Sequence, residues 1–473
     1  MRVERMRRIA WGLTWGAAAA LTGCAVGPDY RAPPIEAVGV WTDAAPSEGT
    51  LPDLSRWWAT FDDPTLTRLI EQALESNRSL QQALARVAEA RALRDGVAGE
   101  RYPSVALESS VTERRQSENG PLPVGRIPGL DRDQTIHEVG FDASWELDLF
   151  GRTRRSIEAA EGRLDEAVEH SRAAQLTVAA EVARTYLDLR GLQRERDAQE
   201  SAVDLSRQTL RLVQRQFEIG EVAEAQVVQA QAELASLEAQ LPLLDAQIRS
   251  LALALGVLVG ELPEKELVLT ASRTDYPVLT PLPVGERADA LRRRPDVRAA
   301  ERRLAAATAD VGVATAEWFP RLTIGAFGSF QSLDAGELFE SGSQTWSVAP
   351  LITWRVFDGG RIRAQIRASE ARAQAAALAY EEALLTALSD AEIALSRYHL
   401  GLTALEQQGR AVVAARRSHE LAMIRYEAGD IALLDLLDAE RILRNAETAY
   451  ARMHRAAATD LVALFKALGG GWR

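Results

Sequence analysis

The chain is short of the residues that enzymes use to bind metals, form disulfides or act as nucleophiles. One cysteine, Cys24, occurs in 473 residues, so no disulfide can form within a chain. The five histidines, His137, His170, His399, His419 and His454, are scattered, and each reads as a surface residue. No H-E-x-x-H or phosphate-binding glycine loop occurs, and no nucleophile has a convincing base near it, so catalysis is not expected. Four methionines give no metal relay. Base is outnumbered by acid, 55 Lys and Arg against 67 Asp and Glu, and the net charge of -12 argues against nucleic acid as a partner. Proline is absent from 129–241 and from 351–473.

The N-terminal apolar stretch, 9–21, is too short for a comfortable membrane span. Preceded by Arg2, Arg5, Arg7 and Arg8, it has the build of a signal peptide. It ends in L-T-G-C, which resembles the lipobox of bacterial lipoproteins; that resemblance makes 1–23 the signal peptide and Cys24 the first residue, carrying diacylglycerol and a fatty acyl chain. Ala25, where an Asp often causes inner-membrane retention, fits outer-membrane sorting. Removal of 1–23, which holds four Arg and one Glu, takes the charge from -12 to -15.

What is present is one unit written twice. Residues 77–103 recur at 294–320 with an offset of 217, and 152–260 recur at 361–469 with an offset of 209. R-x-R-x-x-I-x-A-x-E-x-R at 152–163 reappears at 361–372, and F-E-I-G-E at 217–221 matches Y-E-A-G-D at 426–430. Between the two blocks lie 48 residues in the first copy and 40 in the second, so length variation is expected in one loop per copy. A period near 210 residues is too long for a solenoid and indicates two pseudo-symmetric halves. The organisation expected is an acylated segment over 24–64, a first repeat over 65–270, a linker over 271–285 and a second repeat over 286–470.

The proline-free stretches, rich in Ala, Leu, Gln, Glu and Arg, predict long helices. The run 152–217 would be about 100 Å long as one helix, more than a compact globule can contain. Gly220 and Gly429 read as helix-stopping turns, each followed by another helical run, 222–258 and 431–468. The long helices thus cover 152–258 and 361–468.

Between them the period changes from 3.6 to 2. Val139, Phe141, Ala143, Trp145 and Leu147 alternate with Gly140, Asp142, Ser144, Glu146 and Asp148. Leu322, Ile324, Ala326 and Phe330 alternate likewise, with Phe327 on the polar side; Val105, Leu107 and Val111 suggest a partner strand, and Trp346, Val348, Ile352 and Trp354 a fourth, its pattern weakened by Pro350 and Leu351. Two hairpins, 104–149 and 321–357, are expected. Such strands suit a membrane barrel, and a soluble hairpin packed on helices would show the same alternation. If they span lipid, four strands cannot close a barrel, and two or three chains must combine.

Four segments carry a resemblance to the outer-membrane factors of bacterial efflux systems, the lipoprotein branch that works with resistance-nodulation-division pumps. They are C-A-V-G-P-D-Y at 24–30, W-W-A-T-F-D-D-P-T-L at 57–66, R-R-R-P-D-V-R-A-A-E-R-R-L-A-A-A at 292–307 and Y-E-A-G-D-I-A-L-L-D-L-L-D-A-E-R at 426–441. The resemblance implies an α+β membrane protein: a homotrimer with a 12-stranded β-barrel in outer-membrane lipid, continuous with a long periplasmic α-helical barrel. It also implies a passive duct that receives small molecules from an inner-membrane pump through a periplasmic adaptor, with no cofactor. A type I secretion duct, a periplasmic adaptor and a structural lipoprotein are the alternatives.

The same resemblance places a periplasmic gate near the second turn. Asp435 and Asp438, three apart, share a helix face and match positions whose carboxylates face the closed end of the pore. Pairing of Asp438 with Arg441 on the outer surface is the plainer alternative. Tyr426 and Arg425 resemble side chains that tie neighbouring helix pairs together, and Gly220 and Gly429 mark turns that would meet the adaptor. The first copy has Gln226 and Gln229 where the second has Asp435 and Asp438, so gating is expected to rest on the second copy.

Overall fold

A computed structural model describes residues 25–35, 39–42, 53–117, 131–271 and 276–472. Cys24 and residues 118–130, where the longer first inter-strand connection was expected, lie outside the described residues.

The elements repeat as the sequence does. In the first copy α1 (Pro64–Ser76) and α2 (Arg78–Gly99) precede β1 (Ser104–Arg115) and β2 (Asp133–Leu147), followed by α3 (Arg152–Glu218), α4 (Glu224–Glu238) and α5 (Leu241–Leu258). The second copy has α6 (Arg287–Arg293), α7 (Pro295–Ala316), β3 (Arg321–Ser332), β4 (Gln344–Thr353), α8 (Arg361–Glu427) and α9 (Leu433–Ala467). The single run expected over 222–258 is two helices. Pro242 has no N–H to donate and sits in the first turn of α5, so the ladder breaks at Ala239 and Gln240. The second copy has no proline there, and α9 runs unbroken for 35 residues.

The described residues within 1–32, 88–165 and 301–379 form one compact unit. Its four strands make an antiparallel sheet in the order β1-β2-β3-β4. The register puts the apolar positions together: Val105 pairs Ala143, Ala143 pairs Ala326, and Ala326 pairs Val348. Leu107, Phe141 and Trp346 share that face, as do Trp145, Ile324 and Pro350. The other face carries Glu108, Asp142, Ser144, Glu146, Thr323 and Ser347, and Phe327 falls on it, between Asp142 and Ser347. Pro350 sits on β4, which is an edge strand within the single chain, and keeps its register opposite Ile324 of β3. Trp354 lies one residue past β4, outside the ladder.

The second unit, residues 33–87, 166–300 and 380–473, holds the main core. Asp63 caps α1 by accepting from the N–H groups of Thr65 (2.8 Å) and Leu66 (3.1 Å), and its other oxygen accepts from Tyr186 Oη at 2.7 Å. Fully buried Trp57 stacks on Phe465 with centroids 5.2 Å apart, joining the segment before α1 to the end of α9.

Candidate functional site

The helix turns at Gly220 and Gly429 are the same structure twice. At each the glycine has a positive φ, 77° and 78°, and its N–H donates three residues back, to Phe217 O and Tyr426 O (both 3.0 Å). The next N–H donates five residues back, Glu221 to Gln216 (2.9 Å) and Asp430 to Arg425 (2.8 Å). This pair of bonds satisfies the orphan carbonyls of a helix end and requires the left-handed conformation that glycine adopts freely. A Cβ at either glycine would meet nothing within 4 Å, so both turns are open on that side within the chain.

Below the turns the two copies are tied together. Val213 of α3, Tyr426 of α8, and Leu433 and Leu436 of α9 form a buried cluster, closed by Val222 and Val227. Tyr426 is buried, and its hydroxyl donates to Gln216 Oε1 of the first copy at 2.7 Å. Burial pushes its hydroxyl pKa up, so it remains a donor across the neutral range. Arg425 is exposed and has no ion pair with a described residue. Asp435, also exposed, accepts from the N–H of Ala432 at 3.0 Å and so secures the start of α9. Asp438 pairs with Arg441 at 2.5 Å on the exposed side of α9. Within one chain, therefore, Tyr426 is brought into the tip core, whereas Arg425, Asp435 and Asp438 point to solvent and do not meet one another. Gln226, the counterpart of Asp435, has its Oε1 buried without a partner among the described residues, and Gln229 is exposed.

Further along the same helices lies a layer the sequence did not disclose. Glu440 of α9 is buried and accepts from Thr209 Oγ1 of α3, and His419 Nε2 of α8 lies 3.9 Å from Glu440. Arg444 and Glu233 pair beside it at 2.6 Å. Burial raises the Glu440 pKa and lowers that of His419. His419 and His454 are both 8% exposed, so the reading of every histidine as a surface residue fails for these two. Each is one polar residue on a helix face otherwise made of small and apolar ones, and a charge-neutral imidazole can be buried there.

At the base of the sheet, Trp145 and Trp354, equivalent in the two copies, donate their indole N–H to equivalent carbonyls, Arg101 O and Trp318 O, both at 3.0 Å. The residues after Cys24 are laid against this unit. Val26 N–H donates to Phe150 O (3.1 Å), Arg155 Nε donates to Val26 O (3.2 Å), Arg155 pairs with Asp29 (2.5 Å), and Tyr30 donates to Glu301. Ala25 touches Gly151, where an added Cβ would come within 2.7 Å of it, and Gly27 sits on Gly312. Neither glycine contact could hold a side chain.

Compared with known protein families, residues 69–261 and 287–470 each match the model described as outer membrane efflux protein. The chain belongs to the outer membrane efflux protein family. Outer membrane protein OprJ of Pseudomonas aeruginosa is 33% identical over 99% of this chain and 97% of its own length. The toluene efflux pump outer membrane protein TtgI of Pseudomonas putida is 31% identical over 96% of each. The solved structure of the outer-membrane channel OprN superposes with a TM-score of 0.87 at 38% identity, covering 95% of this chain and all of that one. This efflux protein is thus an α+β outer-membrane channel component that spans the outer membrane and extends into the periplasm. Its family is one of ducts. Among the described residues no group of three or more His, Cys, Asp and Glu could hold a metal.

Proposed function

We propose that three copies of this efflux protein close into one duct that takes small molecules from an inner-membrane pump of the resistance-nodulation-division type through a periplasmic adaptor. The observation that carries this is the open sheet: four strands with an unpartnered apolar face and two free edges, β1 and β4. In lipid every backbone polar group must pair, so β4 of one chain pairs with β1 of the next until the ring closes. Two chains would give eight strands, whose interior side chains fill; three give twelve and an open lumen. The apolar face then meets lipid and the polar face lines the duct.

The same reading extends to the anchor and the gate. Ala25 is fixed at the corner between β2 and α3, so an acyl group on Cys24 would start at the membrane boundary marked by Trp145 and Trp354. In the second unit Asp435 and Asp438 supply six exposed carboxylates per trimer, Arg425 is available to a neighbouring chain, and Tyr426 fixes the packing of the tip. The turns at Gly220 and Gly429 present the open surface to the adaptor. Mass measurement of the detergent-extracted protein tests the whole reading: three chains are expected, and a stable monomer or dimer would refute it.

A further inference from the structure

The duplication contains its own control at the corner where strand passes into helix. In the first copy Glu146 ends β2 on the polar face and holds Arg152, at the start of α3, through two bonds of 2.9 and 3.0 Å; Glu100 stands 3.8 Å from the same guanidinium. Carboxylates of its own copy hold this guanidinium, with Glu317 of the second copy acting on it at longer range. In the second copy the residues at the equivalent positions are Arg355, Arg361 and Glu317. Arginine replaces the glutamate that would have held the helix-start arginine.

Beside these residues lies a cavity of about 760 Å³ between α7 and α8, lined by Arg163, Arg355, Arg361 and Arg372 among others. The three carboxylates on its wall are already engaged. Asp310 pairs with Arg163 at 2.5 Å, and Glu317 pairs with Arg321 and stands 3.8 Å from Arg355. Asp358 caps α8, accepting from the N–H groups of Gly360 at 2.8 Å and Ile362 at 2.6 Å. Arg361 donates to the backbone carbonyl of Asp358 at 3.1 Å and otherwise feels only the already capped Asp358 carboxylate among the described residues, and Arg372 has no hydrogen bond or ion pair with a described residue. Ser369 also lines the cavity, is 3% exposed, and its hydroxyl has no partner among the described residues. Excess guanidinium, an unused buried hydroxyl and the positive end of a 67-residue helix converge on one space.

We propose that this corner, in the second copy only, binds a small oxyanion, a phosphate or carboxylate group, with Arg361 and Arg355 as forked donors and Ser369 as a neutral donor deeper in the cavity. Arg321, the partner of Glu317, lies on the polar face of the sheet, opposite Thr353. On the reading that this face lines the duct, the trimer carries three anion sites in its wall just below the barrel. They would hold an anionic group of a solute in transit or the counter-ion that accompanies it.

The site and its placement are tested separately. Crystals of the full-length protein soaked in selenate, a tetrahedral oxyanion with an anomalous signal, should show one selenium peak per chain between Arg355 and Arg361. Arg355→Glu, which rebuilds the arrangement of the first copy, should abolish the peak, and Arg355→Gln should weaken it. Absence of the peak in the wild type, or an equal peak at Arg152, overturns the proposal. In planar bilayers under a salt gradient, Arg355→Glu should make the channel roughly two- to threefold more selective for potassium over chloride, since potentials of a few kT govern ion concentration in such clefts. Unchanged selectivity together with a selenate peak would leave the anion site standing and refute instead the reading that the polar face lines the duct.

Discussion

Replacing Tyr426 by phenylalanine removes one oxygen from the tip and leaves the ring in its cluster with Val213, Leu433 and Leu436. The hydroxyl gives a half-buried bond of 2.7 Å to Gln216 Oε1, and this bond joins α8 of the second copy to α3 of the first. A neutral bond of this kind contributes about 1 kcal/mol net. Three chains moving together would lose about 3 kcal/mol, which shifts the balance between this tip packing and any wider one by about a hundredfold. Gln216→Ala should act in the same direction, and the double variant should cost little more than either single one, because both remove the same contact. Because burial raises the pKa of Tyr426, the hydroxyl stays a donor at every pH below the ordinary tyrosine value of about 10, so the effect should not change between pH 6 and pH 9. The assay is single-channel recording of the reconstituted protein, with the fraction of time in the high-conductance state as readout. Wild-type behaviour of Tyr426→Phe, or full additivity of the two single changes, would show that the bond does not hold the tip.

Asp435→Ala with Asp438→Ala should raise single-channel conductance and weaken block by divalent cations, and unchanged conductance and block would remove both residues from the gate. Leucine at Gly220 and Gly429 would be strained by about 1–2 kcal/mol per turn, because φ is positive there; efflux should fall while trimers persist on native gels, and normal efflux would argue against adaptor contact at the turns. Glu440 has a folded pKa raised by burial, so its contribution to stability is present below the unfolded value of about 4.3 and is lost as pH rises through the folded value. The melting temperature of Glu440→Gln relative to wild type should therefore increase from pH 4 to pH 8, and a difference independent of pH would contradict a buried carboxylate. Cys24→Ser should abolish incorporation of labelled palmitate, and continued labelling would locate the acyl group elsewhere.

The fold was legible wherever a period or a breaker was strong. Alternation at 139–147 gave β2, glycines at 220 and 429 gave the turns, and the duplication gave the correspondence of the copies. Composition alone hides the break at Pro242, since one proline in the first turn of a helix is enough to split a run otherwise made of helix formers. The site was less legible because its contacts are long-range. Nothing near Tyr426 in sequence points to Gln216, 210 positions away, and the Thr209–Glu440 bond joins residues on helices from different copies. The exposed pairing of Asp438 with Arg441 could be read from their spacing of three. His419 lies on the same buried stripe of α8 as Val412, Ala415 and Tyr426, so its burial follows from helical spacing once the packed face is known.

Where the copies agree, they agree at the level of single hydrogen bonds, and this bears on why they are free to differ elsewhere. Gly260 and Gly469 end the last helix of each copy with φ of 80° and 76°, and an added Cβ would strike Ser76 in one and the 293–294 backbone in the other. The carbonyls just before them, Leu258 O and Ala467 O, are both capped by the residue that separates the two short helices: Asn77 Nδ2 at 2.7 Å in the first copy and Arg294 Nη1 at 3.3 Å in the second. An amide and a guanidinium meet one requirement, the satisfaction of a buried carbonyl. Because backbone groups impose those requirements, side-chain identity can drift at positions that only face solvent or the lumen. Gln229 and Asp438 differ at such a position, whereas the charge inversion at Glu146 and Arg355 and the replacement of Gln226 by Asp435 also change side-chain bonds, to Arg152 in one case and to the N–H of Ala432 in the other. A trimer built from these chains therefore keeps near six-fold backbone packing while its charge repeats only three times around the axis. Ion-dependent behaviour of the duct should accordingly follow substitutions in the second copy more closely than the equivalent substitutions in the first.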